Sequence, residues 1–177
     1  MAALRRKRKG SDLLVRGLEE HGVKDIFSIP GEETLDLLES LRNSRIKFVT
    51  TRTEWGGSLM AANYGRLTGR PGVSLATVGP GVLNFSNGAG YALVCGMPLL
   101  MIAGQKAIKS RGQAGFQRVD AVAMMKPLTK LAIQITATEM IVPTLREAIR
   151  VTQEGKPGPV FLELPEDIAA EKCEEEV

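Results

Sequence analysis

Residues Pro98 to Ala103 form an unbroken apolar run, Pro-Leu-Leu-Met-Ile-Ala, closed by Gly104. A strand with one wet face alternates apolar and polar residues. A run without alternation fits a strand covered on both faces, as in a parallel sheet. Parallel strands also need long crossover connections, normally helical. The rest of the chain supplies them. Helical patterns are read at Ser11 to His21, Thr34 to Leu41, Glu54 to Leu67, Asn84 to Val94, Asp120 to Met125 and Glu139 to Thr152. Between them lie strand patterns at Ile26 to Ile29, Ile46 to Val49, Val73 to Val78, within Leu128 to Ile135, and at Pro159 to Leu164. The first helix is expected to be capped by Ser11, to bury Leu13, Leu14 and Leu18, and to stop at Gly22. Strict alternation predicts an α/β fold: a doubly wound parallel sheet of about six strands with helices on both faces.

One domain suits a chain of 177 residues. The expected boundaries are a disordered basic arm over 1–9, a domain over 10–168, and a disordered acidic tail or linker start over 169–177. The net charge of +3 comes from one block, Arg5-Arg6-Lys7-Arg8-Lys9. Without it the remainder is slightly acidic. No aromatic residue interleaves the block, so it reads as a solvated lead-in and no nucleic-acid partner is expected. No apolar run approaches the ~20 residues of a membrane span. Cys95 and Cys173 lack metal-ligand spacing. Cys95, in an apolar stretch, is expected in the core, and the setting is expected to be reducing and cytoplasmic. The single histidine, His21, reads as a helix-end residue, and no metal site is expected in this chain.

Ligands of open α/β sheets bind beyond the carboxyl ends of the strands. Three such ends stand out: Pro30-Gly31-Glu32-Glu33, Thr51-Arg52-Thr53-Glu54, and Gly79-Pro80-Gly81 with Asn84 behind it. Glu54 opens a helix of small residues, Gly56, Gly57, Ala61 and Ala62, a place where the helix dipole favours a carboxylate. Gly79-Pro80-Gly81 has neither the ending of a phosphate-binding P-loop nor the dinucleotide fingerprint.

Taken in order, Ile29-Pro30-Gly31-Glu32, Thr51-Arg52-Thr53-Glu54, Tyr64 to Val73, Gly79-Pro80-Gly81-Val82-Leu83-Asn84, Met97-Pro98-Leu99-Leu100, Ala103-Gly104-Gln105, Phe116-Gln117-Arg118-Val119-Asp120, Lys126 to Lys130 and Gly155 to Val160 resemble the N-terminal domain of thiamine-diphosphate enzymes of the acetolactate-synthase type. The resemblance covers residues 10 to 168. It implies the pyrimidine-binding domain of a 2-oxo acid carboligase or decarboxylase, a transferase or lyase with pyruvate the leading substrate. Glu54 then matches the catalytic glutamate, which hydrogen-bonds a ring nitrogen of the aminopyrimidine and promotes the tautomer that deprotonates the thiazolium carbon. Pro30 and Gly31 match a loop beside the cofactor, Pro80 and Asn84 match positions around the pyrimidine, and Phe116 and Gln117 match a pair reaching the substrate region from a neighbouring chain. The resemblance also implies magnesium and diphosphate held on another domain, and a homodimer or tetramer formed through the helices beginning at Glu54 and Asn84.

Three positions depart from the pattern. The usual His-Glu-Gln is here Thr53-Glu54-Trp55, and Lys156 stands where relatives often carry an arginine used for flavin contact. Lysine lacks the planar fork of arginine, which leaves FAD open. The Gly-Asp-Gly and distant Asn that carry magnesium are absent from these 177 residues. The chain is therefore expected to be inactive alone, as a piece of a longer synthase. The alternatives are the small subunit of a split decarboxylase, and a non-catalytic interaction domain in which Glu54 is only a helix-start acid.

Overall fold

The structure is a computed structural model of the chain and describes residues 8–109 and 115–173. The elements run β1 (Arg8–Lys9), α1 (Gly10–Glu20), β2 (Asp25–Ser28), α2 (Leu35–Arg42), β3 (Lys47–Thr50), α3 (Glu54–Thr68), β4 (Gly72–Ala76), α4 (Pro80–Leu83), α5 (Phe85–Cys95) and β5 (Leu99–Gln105). They continue as α6 (Ala121–Met125), β6 (Leu131–Gln134), α7 (Ile141–Gln153), β7 (Pro159–Pro165), α8 (Glu166–Ala170) and β8 (Lys172–Cys173). Six strands pair in the order β3-β2-β4-β5-β7-β6, every pair parallel. The doubly wound sheet expected from the alternation is thus what forms.

The apolar runs explain why the middle strands sit where they do. Every residue of β4, β5 and β7 is buried. Side chains alternate between two cores. Leu100, Ile102, Val160, Leu162 and Leu164 meet the buried faces of α1, α2 and α7. Leu99, Met101, Ala103 and Phe161 meet α3, α5 and α6. Each such side chain withdrawn from water stabilises by roughly 1.5–3 kcal/mol. The small-residue side of α3 lets it lie directly on α5, with Ser58 against Gly88.

Two local expectations need correction. Ser11 does not cap α1: the helix starts earlier, Lys9 is the capping residue, and its N–H donates to the Asp12 carboxylate at 2.9 Å. Ser11 is instead buried and receives the Ser40 hydroxyl at 2.9 Å. Cys95 is exposed at the end of α5, because the apolar stretch around it belongs to a helix with one open face. The described ends of the chain meet each other. Arg8 and Lys9 pair antiparallel with Cys173 and Lys172, and the Lys9 ammonium lies 2.5 Å from Asp36. Arg5 to Lys7 and Glu174 to Val177 lie outside the described residues. His21 does end its helix, with its ring nitrogen 2.8 Å from the Gly17 carbonyl.

The contact of α3 with α5 has a direct test. A Cβ at Gly88 would stand 2.1 Å from Ser58 Oγ and 2.4 Å from its Cβ. Gly88→Ala is expected to cost about 1–3 kcal/mol, read as a lower urea midpoint. Adding Ser58→Gly is expected to recover part of that loss.

Candidate functional site

The winding of the sheet changes direction between β2 and β4. After β2 the chain turns to α2 on one face, and after β4 it turns to α4 and α5 on the other. Such a switch point opens a crevice at the carboxyl edge. Pro30 and Gly31 leave β2 on one side of it, and Thr77 to Gly81 leave β4 on the other. The two walls touch at their base, since a Cβ on Gly31 would stand 2.5 Å from Thr77 Cβ.

Glu54 enters this crevice from the first turn of α3. Thr53 caps the helix by accepting from the Gly56 N–H at 3.1 Å, which fixes where the next residue points. Glu54 Oε2 accepts from Asn84 Nδ2 at 2.8 Å. Its Oε1 lies against Gly81, where a Cβ would come within 3.4 Å, and takes no hydrogen bond from the described residues. The structure therefore brings together Glu54, Asn84, Gly81 and, through Thr77, Gly31. Pro80 occupies the first turn of α4 and is exposed. Gly79 is required there by its backbone, with φ +57°.

Phe116 is 70% exposed, and Gln117 lies across Gly79 of its own chain, its carbonyl oxygen 2.3 Å from where a Gly79 Cβ would be. Trp55, the departure beside Glu54, is 45% exposed. Lys156 donates to the Val94 carbonyl at 3.0 Å, so its charge closes the carboxyl end of α5.

One feature of the wall was not read from the sequence. Glu33, just past the Pro30-Gly31 turn, is buried and accepts from Thr77 Oγ1 and from the Lys106 ammonium at 2.6 Å. Burial raises the Glu33 pKa, but hydrogen bonds from Lys106 and Thr77 outweigh it and hold the carboxyl below its ordinary range. The same hydrogen bond, donated to Glu33, holds Lys106 above its own. The triad ties the loop after β2 to the ends of β4 and β5. Its partners are 44 and 73 positions apart in sequence, which is why no local pattern marked it.

Both groups of the pair gain in the folded state, in opposite directions of pH. The depressed Glu33 contributes above its unfolded pKa of about 4.3 and loses that contribution as pH falls through the folded value. The raised Lys106 contributes below its unfolded pKa of about 10.4 and loses it as pH rises further. Glu33→Gln is expected to cost about 1–3 kcal/mol at pH 7 and to flatten the acid limb of stability below about pH 4.5. Urea titrations of both proteins from pH 3 to 8 read this out.

The description "Thiamine pyrophosphate enzyme, N-terminal TPP binding domain" matches residues 8–124. The chain is 37% identical over 159 residues to the catabolic acetolactate synthase of Raoultella terrigena, covering 90% of this chain and 28% of that protein. It is 40% identical over 162 residues to the chloroplastic acetolactate synthase 2 of Nicotiana tabacum, covering 91% and 24%. It is 35% identical over 160 residues to the probable acetolactate synthase large subunit of Methanocaldococcus jannaschii, covering 90% and 27%. The chain thus spans about a quarter of the length of these relatives. No helix among the described residues is long and apolar enough to cross a membrane.

Proposed function

The chain belongs to the thiamine pyrophosphate enzymes through their N-terminal TPP-binding domain, and on that premise we propose that it holds the pyrimidine half of thiamine diphosphate for an acetolactate-synthase-like reaction on small 2-oxo acids. The observation that carries this reading is the Glu54 carboxylate, oriented by Asn84 on one oxygen and left facing a glycine wall on the other. A flat heteroaromatic ring needs a wall without side chains and a carboxyl group at one ring nitrogen. Gly31, Gly81 and Glu54 meet that description, with Pro30, Pro80 and Asn84 on the rim. When bound, the cofactor supplies the carbanion chemistry.

This chain's part is positional and protonic. Glu54 exchanges a proton with the ring at Oε1, while Asn84 keeps Oε2 occupied and the carboxyl plane fixed. Gln117 lies against Gly79 of the same chain that carries Glu54, and in this reading it and its neighbour Phe116 meet the 2-oxo acid from this chain's own side of the site. Magnesium and the diphosphate belong to residues of another domain in this reading. Lys156 is engaged with Val94, and we assign it no flavin contact. The partner is a second copy. The open faces of α3 and α5 carry Met60, Leu67, Tyr91 and Val94, exposed by 46, 85, 38 and 75%. Apolar surface of that extent on neighbouring helices fits a self-complementary contact.

In the assembled enzyme, Glu54→Gln is expected to leave folding intact and to lower turnover at least about 100-fold, since the amide cannot pass a proton. Exchange of the thiazolium C–H with deuterium, followed by NMR, should slow with it. An unchanged exchange rate overturns the assignment of Glu54. Separately, the pair Met60→Glu and Val94→Glu is expected to shift the protein toward monomer in sedimentation. A monomer before substitution overturns the contact.

A further inference from the structure

A buried carboxyl group that the proposed chemistry does not use lies beside the crevice. Glu163, near the end of β7, is 2% exposed. It has no ion-pair partner among the described residues; two glutamine amides converge on it instead. Gln105 Nε2, from the end of β5, donates to Oε1 at 2.8 Å, and Gln134 Nε2, from the end of β6, donates to Oε2 at 2.5 Å. Register explains the convergence. Gln134 pairs directly with Glu163, while Ala103, two residues before Gln105, pairs with it from the other side.

Gln105 also reaches outward. The same Nε2 donates to the Val119 carbonyl at 3.2 Å, and Oε1 accepts from the Lys106 N–H at 3.0 Å. All the hydrogen-bonding capacity of its amide nitrogen is therefore spent between the sheet and residue 119. That residue ends the segment carrying Phe116 and Gln117. Gln117 has φ +57°, the one side-chain-bearing residue among those described with positive φ. A backbone held there needs support from its surroundings. Arg118 supplies a second tie by donating to the Ala107 carbonyl at 2.9 Å.

We propose that Glu163 is a positioning residue: acting through Gln105, it fixes the 115–120 segment, and with it Phe116 and Gln117, over the mouth of the crevice. The placement of that segment at a substrate mouth rests on the function proposed above; the lock itself does not. Two charged groups face Glu163 from the segment, Asp120 and Arg118. Burial is the main influence on the carboxyl and raises its pKa.

The lock makes different demands of two substitutions. Glu163→Leu removes both acceptors and leaves the Gln105 amide without its buried partner. Glu163→Gln keeps an acceptor toward Gln105, provided Gln134 turns its amide over, which no other hydrogen bond of Gln134 among those described opposes. Hydrogen–deuterium exchange on the purified chain reads the result through the protected N–H groups of Arg118, Ala121 and Met124, which bond to Gly115, Val119 and Asp120. Glu163→Leu is expected to speed exchange across 115–124 by at least tenfold relative to β4, and Glu163→Gln to restore protection. Gln105→Leu should reproduce the loss from the other end if Glu163→Leu does not fold. Unchanged exchange over 115–124 overturns the proposal, as does equal acceleration in β4 or failure of Glu163→Gln to rescue. Calorimetric titration of the assembled enzyme with thiamine diphosphate separates the two readings. Absent cofactor binding sinks the proposed function while leaving the exchange result to decide the lock.

Discussion

The pairing of β5 with β7 is the constraint from which the rest follows. Seven residues of each strand are in register, Leu99 with Pro159 through Gln105 with Pro165, and all are buried. A strand buried on both faces needs cover on both, which α1, α2 and α7 provide on one side and α3, α5 and α6 on the other. That cover is apolar along most of the strands and fails at their carboxyl ends, where Gln105 and Glu163 replace aliphatic residues. The loops leaving that edge cannot be held by burial alone. Polar contacts have to define their shape, and such contacts can also be made to a ligand.

The two sides of the edge solve this differently. Beside β2 and β4 a charged pair is used: Glu33 with Lys106, and Thr77 as second donor. Lys106 keeps some access to water, so its ammonium is not fully desolvated, and the cost of burying the pair is moderated. Beside β7 no ammonium or guanidinium among the described residues is bonded to the carboxyl. Glu163 is satisfied by amides, which avoids leaving an unpaired cation if the loop opens. Gln105 and Lys106 are adjacent residues at the end of β5, so one strand end serves both arrangements.

The sequence made the elements legible where a physical period was strong. The apolar run at Pro98 and the alternation of strand and helix located every strand of the six-stranded sheet, with ends displaced by a residue or two. Ser11 and Cys95 were misplaced because both inferences were local. A serine before an apolar stretch resembles a cap, and a cysteine among apolar residues resembles core, yet Ser40 and the open face of α5 decide them. The glutamate and asparagine of the crevice were legible in combination only. Each alone is a helix-start residue, and their 2.8 Å contact spans 30 positions. The Glu33–Lys106 and Glu163–Gln105 contacts left no trace in any window, because register across the sheet creates them.

Glu54 and Trp55 show that a departure from a family pattern can stand next to a residue that still makes its own contact, here with Asn84. Successive residues of a helix point about 100° apart. Glu54 accepts from Asn84 at 2.8 Å, and Trp55, the next residue round the helix, is 45% exposed. Lys156 behaves alike: its amine closes α5 from outside and never approaches the carboxyl edge. Thr53 is the departure that bears on Glu54 directly, because its hydroxyl caps α3 by accepting from the Gly56 N–H and so sets the direction of the first turn. The large indole of Trp55 still wants a partner for its N–H. Its effect falls first on whatever packs against the start of α3, where the ring is half exposed.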